Sequence, residues 1–264
     1  MTGSHHPLLQ IDSVSKAFGG VQALTGISFS LTQGTITGLI GPNGAGKTTL
    51  FNLISGVFPP DTGTIIFNGT GIRNKKSHQL VSLGIARTFQ NVELFDSMTA
   101  LENILVGQHT RTRCGMWGSI VRLPWVAREE NKARDLSMEL LDWIGLREHA
   151  GARSGDLPFG WQRLLELARA MASRPRLLLL DEPASGLNIV ETIRLGELIK
   201  KFRGQGVTVL LVEHDMSLTM EISDQIIVLD QGKKIAEGTP RAVQEDEAVI
   251  AAYLGTPKKK PEND

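Results

Sequence analysis

Nine consecutive residues, Gly41-Pro42-Asn43-Gly44-Ala45-Gly46-Lys47-Thr48-Thr49, bring together what a nucleoside triphosphate requires of a protein. The glycines allow a turn tight enough for successive backbone N–H groups to converge on phosphate oxygens. The helix that such a loop opens adds the partial positive charge of its N-terminus. Lys47 is then placed to reach the β- and γ-phosphates, and the Thr48 hydroxyl to ligate Mg2+. Asn43, Gly44, Ala45, Gly46 and Thr49 complete the cradle.

A second piece of chemistry stands at Leu177-Leu178-Leu179-Leu180-Asp181-Glu182, an apolar run ending in two acids. A carboxylate at the carboxyl end of a buried strand sits where phosphates bind in an open α/β sheet. Asp181 is expected to hold Mg2+ through its water shell. Glu182, one residue further, is placed to polarise an attacking water.

The elements that must position these groups are legible around them. Thr35 to Ile40 is a β-rich run ending at the glycine loop, and Leu50, Phe51, Leu53 and Ile54 have helical spacing over Lys47 to Ser55. Arg176 to Leu180, Val207 to Val212 and Ile226 to Leu229 are apolar enough for strands buried on both faces. Helical patterns over Gln162 to Ala172 and Val190 to Phe202 alternate with them, which predicts a mainly parallel α/β sheet. Before the loop, Leu8 to Val14 and Ile27 to Leu31 predict a small β-layer. The stretch from about residue 91 to 163 reads mostly helical, including Asn131 to Ile144, and is expected to form an inserted subdomain. The core would then comprise residues 8–90 and 164–255. Thr110 to Arg128, with Cys114, Trp117 and Trp125, reads as loop or short helices, and residues 256–264 as a disordered tail.

Composition removes several function classes. Lys plus Arg and Asp plus Glu number 28 each, so no basic field marks the chain for nucleic acid. A single cysteine excludes an internal disulfide and a cysteine-rich zinc site, and suits a reducing cytoplasm. With no apolar run long enough to span a bilayer, any service to a membrane is expected to pass through a partner.

The remaining motifs resemble the ABC ATPase family, from Phe18 to about Gly255. Gln90 follows the strand-like Ile85 to Phe89, Asp181 to Asn188 reads DEPASGLN, and Val212 to Asp215 reads VEHD. The resemblance implies a P-loop, RecA-like core with an N-terminal antiparallel β-layer and an inserted helical subdomain. It implies that Gln90 contacts the metal or the water, that His214 touches the γ-phosphate, and that Phe18 stacks on adenine. Two cassettes would clamp two ATP molecules head to tail, with Gly160 and Asn188 offered across the dimer.

Where the family usually has Leu-Ser-Gly-Gly-Gln, this chain has Leu157-Pro158-Phe159-Gly160-Trp161. Proline removes a hydroxyl and a backbone donor, while Gly160 and the start of the helix near Trp161 remain. Asn188 stands where aspartate is commoner. Together with EHDM, AEGTP and Tyr253-Leu254-Gly255, this variant set resembles cassettes of branched-chain amino acid importers and their urea or amide relatives. That resemblance implies a transport ATPase on the cytoplasmic face of the inner membrane. It would work as a homodimer, or as a heterodimer with a paralogous ATPase, on integral membrane permeases fed by a solute-binding protein. The rivals are a soluble, non-transport ABC ATPase and a module that clamps ATP to regulate.

Overall fold

The computed structural model describes residues 7–88, 91–109, 124–213 and 216–254. In chain order the elements are β1 (Leu9–Phe18), β2 (Val21–Leu31), β3 (Ile36–Ile40), α1 (Lys47–Ile54), β4 (Thr62–Phe67), β5 (Thr70–Gly71), α2 (Ser77–Leu83) and β6 (Ile85–Arg87). They continue with α3 (Ala100–Gly107), α4 (Pro124–Trp143), α5 (Phe159–Ala172), β7 (Leu177–Asp181), α6 (Ile189–Gly204), β8 (Thr208–Val212) and α7 (Met216–Ile222). The chain closes on β9 (Gln225–Asp230), β10 (Lys233–Gly238), α8 (Pro240–Gln244) and α9 (Glu247–Leu254).

Two sheets form. The larger has the order β10-β9-β3-β8-β7-β6 and is parallel except for β10, which pairs antiparallel with β9. The smaller, β2-β1-β4-β5, is antiparallel throughout. The expected β-layer is therefore present, with β4 and β5 added from a stretch whose alternation did not announce a strand.

The apolar strands divide their side chains between two cores, as period-two alternation requires of a sheet covered on both faces. Leu178, Leu180, Val209 and Leu211 face a layer containing α3 to α6, while Leu177, Leu179, Leu210 and Val212 face α1 and the antiparallel sheet. The sheet is thus clamped at mid-height, and its carboxyl edge is left for chemistry. A third cluster packs Val243 and Val249 of the last two helices on Ile40, Ile226 and Val228.

The helical stretch contains α3, α4 and the beginning of α5. Thr99 caps α3 by a reciprocal bond with Glu102, its hydroxyl accepting from the Glu102 N–H at 3.2 Å while the Glu102 carboxylate accepts from the Thr99 N–H at 2.8 Å. The last five residues of the Thr110 to Arg128 stretch belong to α4, whereas 110–123, with Cys114 and Trp117, lie outside the described residues, as do 255–264. The signature helix starts two residues earlier than its sequence suggests, with Pro158 at its N-cap and Phe159 as its first residue.

Candidate active site

Strand order places the chemistry. Since β8 lies between β3 and β7, the P-loop after β3 and the acids ending β7 open on the same edge of the sheet, one strand apart. A cleft of about 210 Å³ there is lined by Asn43, Gly44, Ala45, Gly46, Lys47, Thr48 and Thr49, together with Glu182 and Ala23. Every predicted cradle residue after Pro42 meets Glu182 in one place. Ala23, on β2, is an addition that no motif indicated.

Two glycines make the loop possible. Gly46 caps α1 at φ 102°, where a Cβ would sit 2.6 Å from Leu24 and 2.8 Å from the Ala23 carbonyl oxygen. At Gly41 a Cβ would run into the carbonyl oxygen of Leu229. The loop is therefore pressed onto β2 and β9, and α1 is fixed below it by buried Leu50, Phe51, Leu53 and Ile54.

Lys47 is only 7% exposed, and its Nζ donates to the carbonyl oxygens of Gly41, at 2.6 Å, and Pro42, at 3.0 Å. Burial holds its amine below the usual lysine range, against the opposing pull of Glu182 and Asp181. A cation held by neutral carbonyls and faced by two carboxylates is poised for phosphate oxygens.

Asp181 is buried and ion-paired, its Oδ2 accepting from Arg87 Nη2 at 2.9 Å. Arg87 also donates to Asn52 Oδ1 at 2.7 Å and Ser55 Oγ at 2.8 Å, so the end of β6 ties α1 to the acid strand. Glu182 has φ 48°, unusual for a residue with a Cβ. Its N–H donates to the Val212 carbonyl at 2.8 Å and its own carbonyl accepts from Arg163 Nη2 at 3.3 Å. Two residues on, the Ala184 N–H donates to Glu213 Oε1 at 2.6 Å, linking the acid loop to the end of β8.

Besides Asp181, which is not among the lining residues, Phe18, Gly160 and Asn188 also lie apart from the cleft lining. Phe18 is 45% exposed rather than part of the core, edge-on to Phe58 at 5.2 Å with Lys16 Nζ 5.4 Å from its ring centre. Gly160 packs so closely on the Glu191 carboxylate that a Cβ there would collide with it. Asn188 caps α6, its Oδ1 accepting from the Glu191 N–H at 3.0 Å. Gln90 and His214 lie outside the described residues. Sequence reasoning missed Arg87, Arg163, Glu166 and Glu213. Of these only the Arg163–Glu166 pair carried a signal, an i,i+3 charge spacing on a helical pattern.

The model of the ABC transporter family matches residues 24–185, from β2 through the P-loop to the acid loop. The chain belongs to this family. A second model, of the branched-chain amino acid ATP-binding cassette transporter, matches residues 233–259. Over 250 residues, 94% of this chain and 98% of the relative, it is 44% identical to the high-affinity branched-chain amino acid transport ATP-binding protein BraF of Pseudomonas aeruginosa. Over the same shares it is 43% identical to LivG of Escherichia coli K12, which bears the same description. A crystal structure of an ATP-binding cassette of an ABC transporter, in its ADP conformation, superposes with a TM-score of 0.82 at 30% identity, covering 95% of this chain and all of that one. As an ABC cassette the chain is a nucleotide-binding ATPase of the transport family. Among the described residues no helix is long and apolar enough to cross a membrane itself.

Proposed function

We propose that this chain is the motor subunit of an ABC importer for branched-chain amino acids or closely related small amides. The observation that carries the reading is the cleft in which residues 43–49 and Glu182 meet. Names of relatives at 43% to 44% identity over nearly full length support the solute class.

Lys47 would bind the β- and γ-phosphates, with the backbone N–H groups of the loop closing on the remaining oxygens. Glu182 would accept a hydrogen bond from the attacking water and orient it at the γ-phosphorus. The donors fit Mg2+: a hydroxyl at Thr48 and a carboxylate at Asp181 suit a hard cation, and no cluster of three or more His, Cys, Asp or Glu among the described residues offers an all-protein cage. Bound there, Mg2+ would neutralise charge developing between the β- and γ-phosphates. Gln90 and His214 are assigned to the metal or water and to the γ-phosphate on the family resemblance.

The division into a core of residues 8–90 and 164–255 and a subdomain of 91–163 belongs to this reading, with α5 running through both. So does the closed state, in which Gly160 and Asn188 of one cassette, or of a paralogous partner, face the other's ATP. The assembly would sit on the cytoplasmic face of the inner membrane, bound to permeases that receive solute from a binding protein. A non-transport ABC ATPase is disfavoured by the transport relatives, and an ATP clamp without turnover by Glu182 in the cleft.

The test is uptake. Proteoliposomes holding the chain with the membrane subunits that co-purify with it should take up leucine only with ATP on the cassette side, and Lys47→Ala should abolish uptake. A chain that holds no membrane subunit, or uptake indifferent to Lys47→Ala, contradicts the proposal.

A further inference from the structure

Inside α5, one turn beyond the signature, Arg163 and Glu166 form an ion pair of 3.1 Å with both side chains 2% exposed. Two charges removed from water at this depth are retained at a cost unless each makes further bonds. Each does. Glu166 Oε1 accepts from the Glu93 N–H at 3.5 Å, and Arg163 Nη2 donates to the Glu182 carbonyl at 3.3 Å. The same guanidinium lies 6.0 Å from the Phe159 ring centre. A single buried pair thereby touches the segment leading into the subdomain, the signature aromatic and the acid loop.

The contact to Glu182 falls on a strained peptide. At φ 48° the residue occupies the left-handed region, which a side chain with a Cβ leaves unless its surroundings hold it. Its N–H donates to the Val212 carbonyl at 2.8 Å, and its own carbonyl accepts from the Ser185 N–H at 3.1 Å and from Arg163 Nη2 at 3.3 Å. Without Arg163 that carbonyl loses its side-chain restraint and keeps the turn bond from Ser185, so the strained backbone is less tightly held and the Cα–Cβ vector of Glu182 can drift with it. A carboxylate that must meet a water in line with the γ-phosphorus does not tolerate such a drift.

We propose that Arg163 is a positioning residue for hydrolysis: held by Glu166, its guanidinium joins the Ser185 N–H on the Glu182 carbonyl and tightens the left-handed conformation that keeps that carboxylate in the phosphate cleft. The proposal rests on the reading of Glu182 as the water-orienting carboxylate. Since the P-loop is untouched, loss of Arg163 affects turnover and spares nucleotide binding.

Arg163→Lys is the cleanest variant, because one ammonium preserves the charge opposite Glu166 but cannot reproduce the fork whose Nη1 reaches Glu166 and whose Nη2 reaches the Glu182 carbonyl. Arg163→Met with Glu166→Gln removes both charges together, so no buried charge is stranded, and the new amide oxygen would still accept from the Glu93 N–H. For the full-length chain, both variants should bind a fluorescent ATP analogue within about twofold of the parent and keep KM within about threefold, while kcat falls at least about tenfold. In a Glu182→Gln background, Arg163→Lys should change the single-turnover rate by less than about twofold, because its route of action is already gone.

Parental kcat in both Arg163 variants overturns the proposal. So does a loss of the same factor with and without Glu182, which would place the action of Arg163 elsewhere. Should Glu182→Gln alone turn over at the parental rate, the reading of Glu182 fails in a variant where Arg163 is intact, and the proposal falls with it.

Discussion

Around the P-loop the chain surrounds a ligand space with its own groups, whereas around the signature it turns those groups on itself. Lys47 and residues 43–49 line one cleft with Glu182, distant in sequence but adjacent at the sheet edge. On the other face Gly160 lies against Glu191, Gly186 against the Phe159 ring, and the Asn188 oxygen caps its own helix. Beside them Ile189 and Val190 remain 81% and 68% exposed. The P-loop half gathers its lining residues within a single chain. Around the signature these groups make local contacts within their own chain, and under the proposed reading this is the surface offered to another cassette's nucleotide.

Breaking the P-loop half should produce the largest effect. Lys47→Ala deletes the buried cation, and with charge-assisted bonds worth about 1.5–3 kcal/mol each, ATP affinity should fall by about a hundredfold and turnover disappear. Calorimetric titration checks the first and phosphate release the second. Unchanged affinity would erase the contrast between the two faces.

The signature half should break differently. Gly160→Asp should leave affinity for ATP nearly intact yet stop turnover, and because a Cβ there meets Glu191, it should also lower the melting temperature. Mixed dimers of Gly160→Asp with Lys47→Ala chains gather both lesions in one composite site and leave the other whole. Turnover in the mixture, absent from each homodimer, marks completion in trans. A crosslink joining Gly160 to its own chain's Lys47 would contradict it.

The smallest effect belongs to Asn188. Asn188→Ala removes the cap of α6 and should cost about 1 kcal/mol, read as a lowered denaturation midpoint, while Asn188→Asp keeps the cap and should be close to neutral. If Asn188→Ala instead lowers turnover without touching stability, the asparagine serves the composite site more than its own helix.

What could be read from the sequence follows the same contrast. The P-loop was legible because its chemistry is contiguous, and Glu182 because a buried strand points it at a known edge. The parallel strands announced themselves by being apolar at every position, since both faces are covered. Arg87 and Asp181 were opaque as a pair: they meet across 94 residues, and a basic side chain carries no period that names its partner. Arg163 looked like an ordinary helical charge because burial on α5 is set by the sheet beneath it. The conformation of Glu182 was equally hidden, for left-handed backbone at a residue with a Cβ is imposed by tertiary contacts. Strands β4 and β5 are short and mostly polar outward, so pairing reveals them where alternation does not, β4 on β1 and β5 on β4.

The central claim is that one chain binds ATP through the P-loop and that Glu182 turns binding into hydrolysis. Measuring ATP affinity and steady-state phosphate release for Glu182→Gln tests it most directly, since amide for carboxylate preserves size and removes the base. Affinity within about twofold of the parent with turnover lowered by about a hundredfold or more is the predicted result. Phosphate release at the parental rate would contradict it.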